Sequence, residues 1–280
     1  MTRYLLFLLL VSTVNAGCQQ EENCLSPNCY CSSKWFPKMN VTDIPQMVYF
    51  GFDDAVNSLI NEYYDEIFTN NRNNPNGCPI TMSLYVSDLY TDYKLVKKYY
   101  DAGHEIGVHG VNDKRIDTAA HLSEEAKQQR DNLIKHAEVK TDDIVGWRSP
   151  FLTSAGEEQP RILNNLGFKY DITVTYDGSP PNDIIWPSTL DYPWPYTCFL
   201  NCPRKTVKGF WLVPVIPLQG KNNNYKCTYV DGVYINPTMK RKLLITFGII
   251  SMPIIRVLVP HSASICMRHG LLIRLTKFLQ

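Results

Sequence analysis

From Ile44 onward the chain alternates short apolar runs with amphipathic helical patterns, and this order constrains the fold more than any other feature. "MVYFGF" (47–52) and "ITMSLYVS" (Ile80–Ser87) read as strands. "TDYKLVKKYYDAG" reads as a helix, with Leu95, Val96 and Tyr99 on one side and Gly103 closing it. It feeds "HEIGVHG", whose Ile106 and Val108 alternate as a strand, and "SEEAKQQRDNLIKHAE" is a second helix. "IVGW" is the next strand, and "SAGEEQPRILNNLG" is a helix that opens on a Ser154–Glu157 capping box and stops at Gly167. "FKYDITV" and, after a loop rich in Pro and aromatics, "WLVPVIPL" complete the series. Strands that take turns with helices predict a parallel α/β architecture, closed or open.

The polar residues fall in a pattern. Asp53 and Asp54 follow the first strand, His109 ends the third, Arg148 follows "IVGW", and Asp171 interrupts "FKYDITV". A lone Asp behind a strand is ordinary turn chemistry. Five reactive side chains at successive strand ends are not, because in barrels of parallel strands the carboxyl ends of the strands build the active site.

The termini set the compartment. "MTRYLLFLLLVSTVNA" (1–16) has one Arg, a short apolar run and small residues before Gly17, the pattern of a secretory signal peptide. Nine cysteines in a secreted chain predict disulfides. Cys18, Cys24, Cys29 and Cys31 crowd together, Cys78, Cys198, Cys202 and Cys227 are spread through the body, and Cys266 is left over. A zinc cluster at Cys29 and Cys31 is the competing reading, disfavoured by an oxidising compartment. Asn40 heads a glycosylation sequon. A net charge of +1 gives no reason to expect nucleic acid or an anionic membrane as partner. The expected organisation is a signal peptide (1–16), a Cys-rich leader and linker (17–43), one catalytic domain (44–238) and an atypical tail (239–280).

The motifs "FGFDDAV", "GHEIGVHGVND" and "GWRSPFL", followed by "WPSTLDY" and "GFWLVPV", resemble in order those of the polysaccharide deacetylases of carbohydrate esterase family 4, the NodB type. "NPNGCPI" and "CFLNCP" are further shared features, and the likeness to short secreted invertebrate members runs from about Cys18 to Asn236. The resemblance implies a distorted (β/α) barrel, here incomplete at its C-terminus. It implies Asp53 as general base, with Arg148 pairing with and orienting it. It implies Asp54 and His109 as ligands of a divalent metal, zinc first and manganese or cobalt next. The substrate implied is chitin or a related N-acetylglucosamine polymer, in the extracellular space. Phe151, whose neighbouring backbone N–H groups share the oxyanion load in relatives, Asp171, Trp186 and Trp211 are the expected substrate-side residues. Exposed aromatics of "WPSTLDYPWPYTCF", with Trp194 and Tyr196 beside Trp186, are expected either to stack on sugar rings or to pack a Pro-rich loop, and Trp211 to sit in the core or pocket wall.

Two departures from the family pattern stand out. The family has a second His four residues after the first, where this chain has Asp113. Carboxylate is a legitimate ligand, so the expected set is Asp54, His109 and Asp113, one that favours harder metals more than two histidines would. The second departure follows Thr238, where the resemblance stops and the motif carrying the family's general-acid His is missing. Read one base back from Val259 and Pro260, the tail permits Ala-Pro-Phe-Gly-Ile-Tyr-Met-His-Ala-Ser-Trp, which resembles that motif. The expectation is therefore a frameshift after about Met239. A membrane anchor over Leu243–Val259 is the competing reading, disfavoured by its length and by Pro253 and Arg256. A catalytically silent carbohydrate-binding homologue is the alternative function.

Overall fold

A computed structural model of the chain describes residues 17–34, 49–68, 72–178, 185–219 and 226–228. The signal peptide, the sequon at Asn40, most of the linker, the residue Cys266 and the tail with its two competing readings lie outside the described residues.

Among the described residues, nine strands and four α-helices follow one another as β1 (Gly51–Asp54), α1 (Ser58–Ile67), β2 (Ser83–Val86), α2 (Tyr93–Asp101), β3 (Glu105–Val108), α3 (Ala119–Ala137), β4 (Gly146–Trp147), α4 (Gln159–Asn165), β5 (Tyr170–Asp171), β6 (Ser188–Leu190), β7 (Val207–Leu212), β8 (Leu218–Gln219) and β9 (Lys226–Cys227). Seven of the strands form one sheet in the order β1-β2-β3-β4-β5-β7-β6. β1 to β5 and β7 run parallel, in a register that lines up Phe52, Leu84 and Ile106, and β6 joins antiparallel to β7. This is the expected α/β class. Among the described residues the sheet ends at β1 on one side and β6 on the other.

Alternation along the strands sorts side chains onto two faces. Leu84, Val86, Ile106, Val108, Trp147, Phe210 and Leu212 join helix residues such as Val96, Leu122, Leu133 and Leu163 in the larger core. Tyr85, Tyr170 and Trp211 face the other way, into a second cluster with Tyr30, Trp186 and Val213. Glycines make room for these rings. A Cβ on Gly107 would lie 2.6 Å from the Tyr85 ring, and one on Gly146 would clash with the Tyr170 hydroxyl. Beneath the site the second cluster carries a polar chain. Tyr49 and Tyr85 hydroxyls are 2.6 Å apart, Tyr85 and Tyr170 2.7 Å, and Tyr170 donates to Glu105 at 2.7 Å. Burial raises both the Tyr85 and the Tyr170 hydroxyl, so the chain is neutral up to Glu105.

Several expected boundaries shift. α3 starts four residues before Ser123, with Thr118 accepting from the His121 N–H as N-cap. α2 fits its reading, capped by Asp92, and Gly103 follows it at φ +91°. The Ser154–Glu157 capping box does not form. Ser154 Oγ accepts from Gly156 N–H instead, and α4 begins only at Gln159, with no side-chain cap. α1, β6 and the stretch of β7 before Trp211 are not singled out by periodicity. On α1, Leu59 (80% exposed) and Tyr63 (65%) point outward while Tyr64 is buried, so the helix shows no clean apolar stripe.

The leader is disulfide-stapled, Cys18 to Cys31 and Cys24 to Cys29, rather than metal-bound. It caps the sheet edge. Tyr30 N–H donates to Thr189 Oγ1 at 3.0 Å, Thr189 N–H donates to Tyr30 O at 2.9 Å, and the Tyr30 ring lies 5.0 Å from Trp211. Cys198 pairs with Cys202, and Cys78 is also disulfide-bonded.

Candidate metal centre

Parallel strands bring their carboxyl ends to one side of the sheet, and the reactive residues gather there. Asp53 and Asp54 are the last two residues of β1, paired in register with Tyr85 and Val86, rather than the turn beyond it. His109 follows β3 directly, and Arg148 follows β4. Asp54 takes φ +75° and Asp113 φ +44°, left-handed conformations that Asp tolerates better than most residues and that concentrate at functional positions.

His109 is 2% exposed, and its Nδ1 lies 2.8 Å from the backbone carbonyl of Arg148. A carbonyl can only accept, so Nδ1 carries the proton. In that tautomer Nε2 is the ring atom left to offer a lone pair, and it lies 3.4 Å from Asp54 Oδ1. Two electron-pair donors held face to face need a proton or a cation between them. Asp113 completes the group: one ligand atom from each of Asp54, His109 and Asp113 lies within 4.8 Å of the others. Burial, then the charge of Asp54, raises the Asp113 carboxyl. Asp53, Asp54 and Asp113 set three carboxylates against the single guanidinium of Arg148, an excess of two negative charges among these four residues. A divalent cation would balance it, so the residues fit such an ion in donor type, spacing and charge.

Asp53 stands beside this group. Arg148 Nη1 lies 3.3 Å from Asp53 Oδ1, both side chains are largely buried, and the guanidinium carbon sits 5.8 Å over the Tyr85 ring. The segment after Arg148 is anchored from below. Ser149 N–H donates to Thr173 Oγ1 at 2.9 Å, and Trp147 Nε1–H donates to Ser149 Oγ at 2.8 Å. Gln159 Nε2 donates to Asp171 Oδ2 at 2.7 Å, and Thr173 N–H donates to Asp171 Oδ1 at 2.9 Å. Asp171, 1% exposed, thus spends both oxygens inside the fold, and burial lifts its carboxyl to about 6.

The aromatic expectations divide. Phe151, at φ +56°, is 53% exposed and has the Arg115 guanidinium 5.7 Å over its ring. Trp186 and Trp194 are buried, which corrects the expectation of exposed rings: Trp186 packs in the cluster with Trp211 and Tyr30, and Trp194 packs edge-on against the half-buried Tyr196. Trp211 is core, as expected. An exposed pair that sequence reasoning passed over is Phe199–Leu200, held in the Cys198–Cys202 loop, which Asn201 ties to the Ser154 carbonyl at 3.0 Å. Gln159 and Glu125 were also passed over. Their signal is a polar residue on the buried stripe of a helix, where Glu125 accompanies Leu122, Ala126, Gln129 and Leu133.

Comparison with known proteins finds curated relatives of the chain. Chitin deacetylase 8 of Bombyx mori is 32% identical over 225 residues, 78% of this chain and 58% of its own length. Chitin deacetylase 1 of Bombyx mori is 34% identical over 221 residues, 75% of this chain and 40% of its own length. The chain thus spans about half the length of these curated relatives. Among solved structures, a family 4 carbohydrate esterase from Streptomyces lividans in complex with acetate aligns at a TM-score of 0.38 and 13% identity, over 48% of this chain and 64% of that one. No family model matches the chain.

Proposed function

This chain belongs to the NodB-type polysaccharide deacetylases, and from that premise we propose that it is a secreted, metal-dependent hydrolase that removes N-acetyl groups from chitin or a related N-acetylglucosamine polymer. The observation that carries the proposal is the convergence of Asp54, His109 and Asp113 ligand atoms within 4.8 Å, with the Asp53–Arg148 pair beside them. A divalent cation bound there would acidify a water and polarise the acetamide carbonyl. The chain's own residues do the rest. The Asp53 carboxylate takes the proton of the attacking water. Arg148 fixes that carboxylate in direction, and its backbone carbonyl holds the His109 ring so that Nε2 faces the ligand group. Phe151 projects from the segment after Arg148 and offers an exposed aromatic surface to a sugar ring. The disulfides of the leader suit an oxidising, extracellular compartment, and no helix among the described residues is long and apolar enough to cross a membrane.

Acetate release from N-acetylglucosamine oligomers tests the proposal. Activity should need added zinc, manganese or cobalt, vanish with chelator, and fall about 10²–10⁴-fold in Asp53→Asn. Asp113 in place of the family's histidine favours a second reading, a catalytically silent carbohydrate-binding homologue. Tight oligomer binding with no acetate released under any of these metals would select it.

A further inference from the structure

Glu125 lies on α3, away from the reacting groups, yet it is 5% exposed and its carboxylate reaches into the turn that follows His109. Oε2 accepts from Val111 N–H at 2.5 Å and from Asn112 N–H at 3.2 Å, and Oε1 accepts from Asn112 Nδ2 at 2.9 Å. His121, one helical turn before it, has Nε2 3.5 Å from Oε1. The other side of the turn is fixed as well, because the Val111 carbonyl accepts from the N–H groups of Asp88 and Leu89. Gly110 at φ +89° lets the turn close down on the helix, and a Cβ there would stand 3.0 Å from Glu125 Oε2. The turn ends on Asp113, itself in a left-handed conformation. Burial raises the Glu125 carboxyl and the Val111 and Asn112 donors lower it; the donors win.

We propose that Glu125 is a positioning residue for the metal site: by gathering the N–H groups of Val111 and Asn112, it holds the Gly110–Asp113 turn in the one conformation that presents Asp113 to Asp54 and His109. The inference rests on the metal-site reading above and adds to it a residue outside the ligand set. Its logic is that of any ligand support: an unsupported carboxylate on a left-handed turn has many orientations, and only one shares an ion with its neighbours.

The test measures cobalt(II) binding to the full chain by absorbance and zinc binding by calorimetry, for wild type, Glu125→Ala, Asp113→Ala and the double variant. Amide exchange at Val111 and Asn112 is followed in parallel. Glu125→Ala should weaken metal binding about 10–100-fold and expose both amides to exchange. Glu125→Gln, which can keep the backbone acceptor, should restore most of the affinity. In the Asp113→Ala background, Glu125→Ala should weaken binding by no more than about twofold, since the residue acts through Asp113. Additive losses would overturn the inference, as would exposed amides with wild-type affinity. If Glu125→Ala does not fold, Asn112→Ala removes the Oε1 contact alone; a several-fold weakening supports the inference and unchanged affinity overturns it. A wild type that binds no cation overturns the metal reading itself, and this inference with it. A wild type that binds, matched by Glu125→Ala, overturns the inference alone.

Discussion

Replacing Arg148 and Asp53 together should reveal a coupling that belongs to a buried ion pair. The two side chains are 8% and 12% exposed, with Nη1 and Oδ1 3.3 Å apart. At an effective dielectric of about 20, two unit charges at that distance attract by about 5 kcal/mol, and breaking one half of a buried pair costs about 3–5 kcal/mol. Exposed pairs are worth about 0–1 kcal/mol, so the two regimes are well separated. The perturbations are Arg148→Met, which keeps the stem, and Asp53→Asn, which keeps the shape. Each single change also disturbs neighbours: Arg148 lies over Tyr85, and removing it leaves Asp53, Asp54 and Asp113 without their shared countercharge. The double-mutant cycle cancels those private losses and leaves the pair. Urea unfolding of the four proteins, followed by tryptophan fluorescence with disulfides intact and chelator present, gives the coupling. It should be about 3–5 kcal/mol and persist at about 1 M salt, where exposed pairs are screened. A coupling below about 1 kcal/mol would show that Arg148 does not hold Asp53, and the positioning role assigned to it would fall.

Zinc or manganese at about a hundredfold its dissociation constant should stabilise the wild type by about 2.7 kcal/mol, a rise in melting temperature that disappears in Asp54→Ala and His109→Ala. Asp113→His should raise the preference for zinc over manganese, measured by competition binding, because an imidazole is the softer ligand. Burial lifts the Asp171 carboxyl to about 6 from its ordinary value of about 3.9, so the folded chain keeps this proton after the unfolded chain has released it. The stability from that proton is present below about pH 4 and lost as the pH rises through about 6; relative to Asp171→Asn, the wild type should lose about 3 kcal/mol between about pH 4 and 7.5, and a flat difference would refute the assignment. Gly107→Ala should cost about 1–3 kcal/mol in urea unfolding, because the new methyl meets the Tyr85 ring at 2.6 Å and the Gly146 carbonyl at 3.1 Å.

The sequence disclosed most where structure is local. Asp53, Asp54, His109 and Arg148 could be found because each ends or follows a strand, and parallel order then brings strand ends to one side whatever the details of packing. α2 was readable end to end, since Leu95, Val96, Tyr99 and Gly103 lie within about two and a quarter turns of one another. Elements decided by distant partners were not. β4 and β5 shrink to two residues each, and β6 is held between β7, with Thr189 opposite Trp211, and the leader's Tyr30. Trp186 and Trp194 look in sequence like exposed loop aromatics, but Trp186 is buried in the cluster with Tyr30 and Trp211, and Trp194 in the larger core against Tyr196. The Ser154 box failed because Ser154 Oγ accepts from the Gly156 N–H rather than from that of Glu157, and the helix begins only at Gln159. Asp113 is the case that joins the two kinds. Its place four residues after His109 is local and could be read, but its direction is set by a carboxylate twelve residues further on, reached only because α3 folds back over the turn. A substitution in the family's ligand pattern therefore cannot be judged at position 113 alone: whether an aspartate serves there depends on whether Glu125 holds the backbone that aims it.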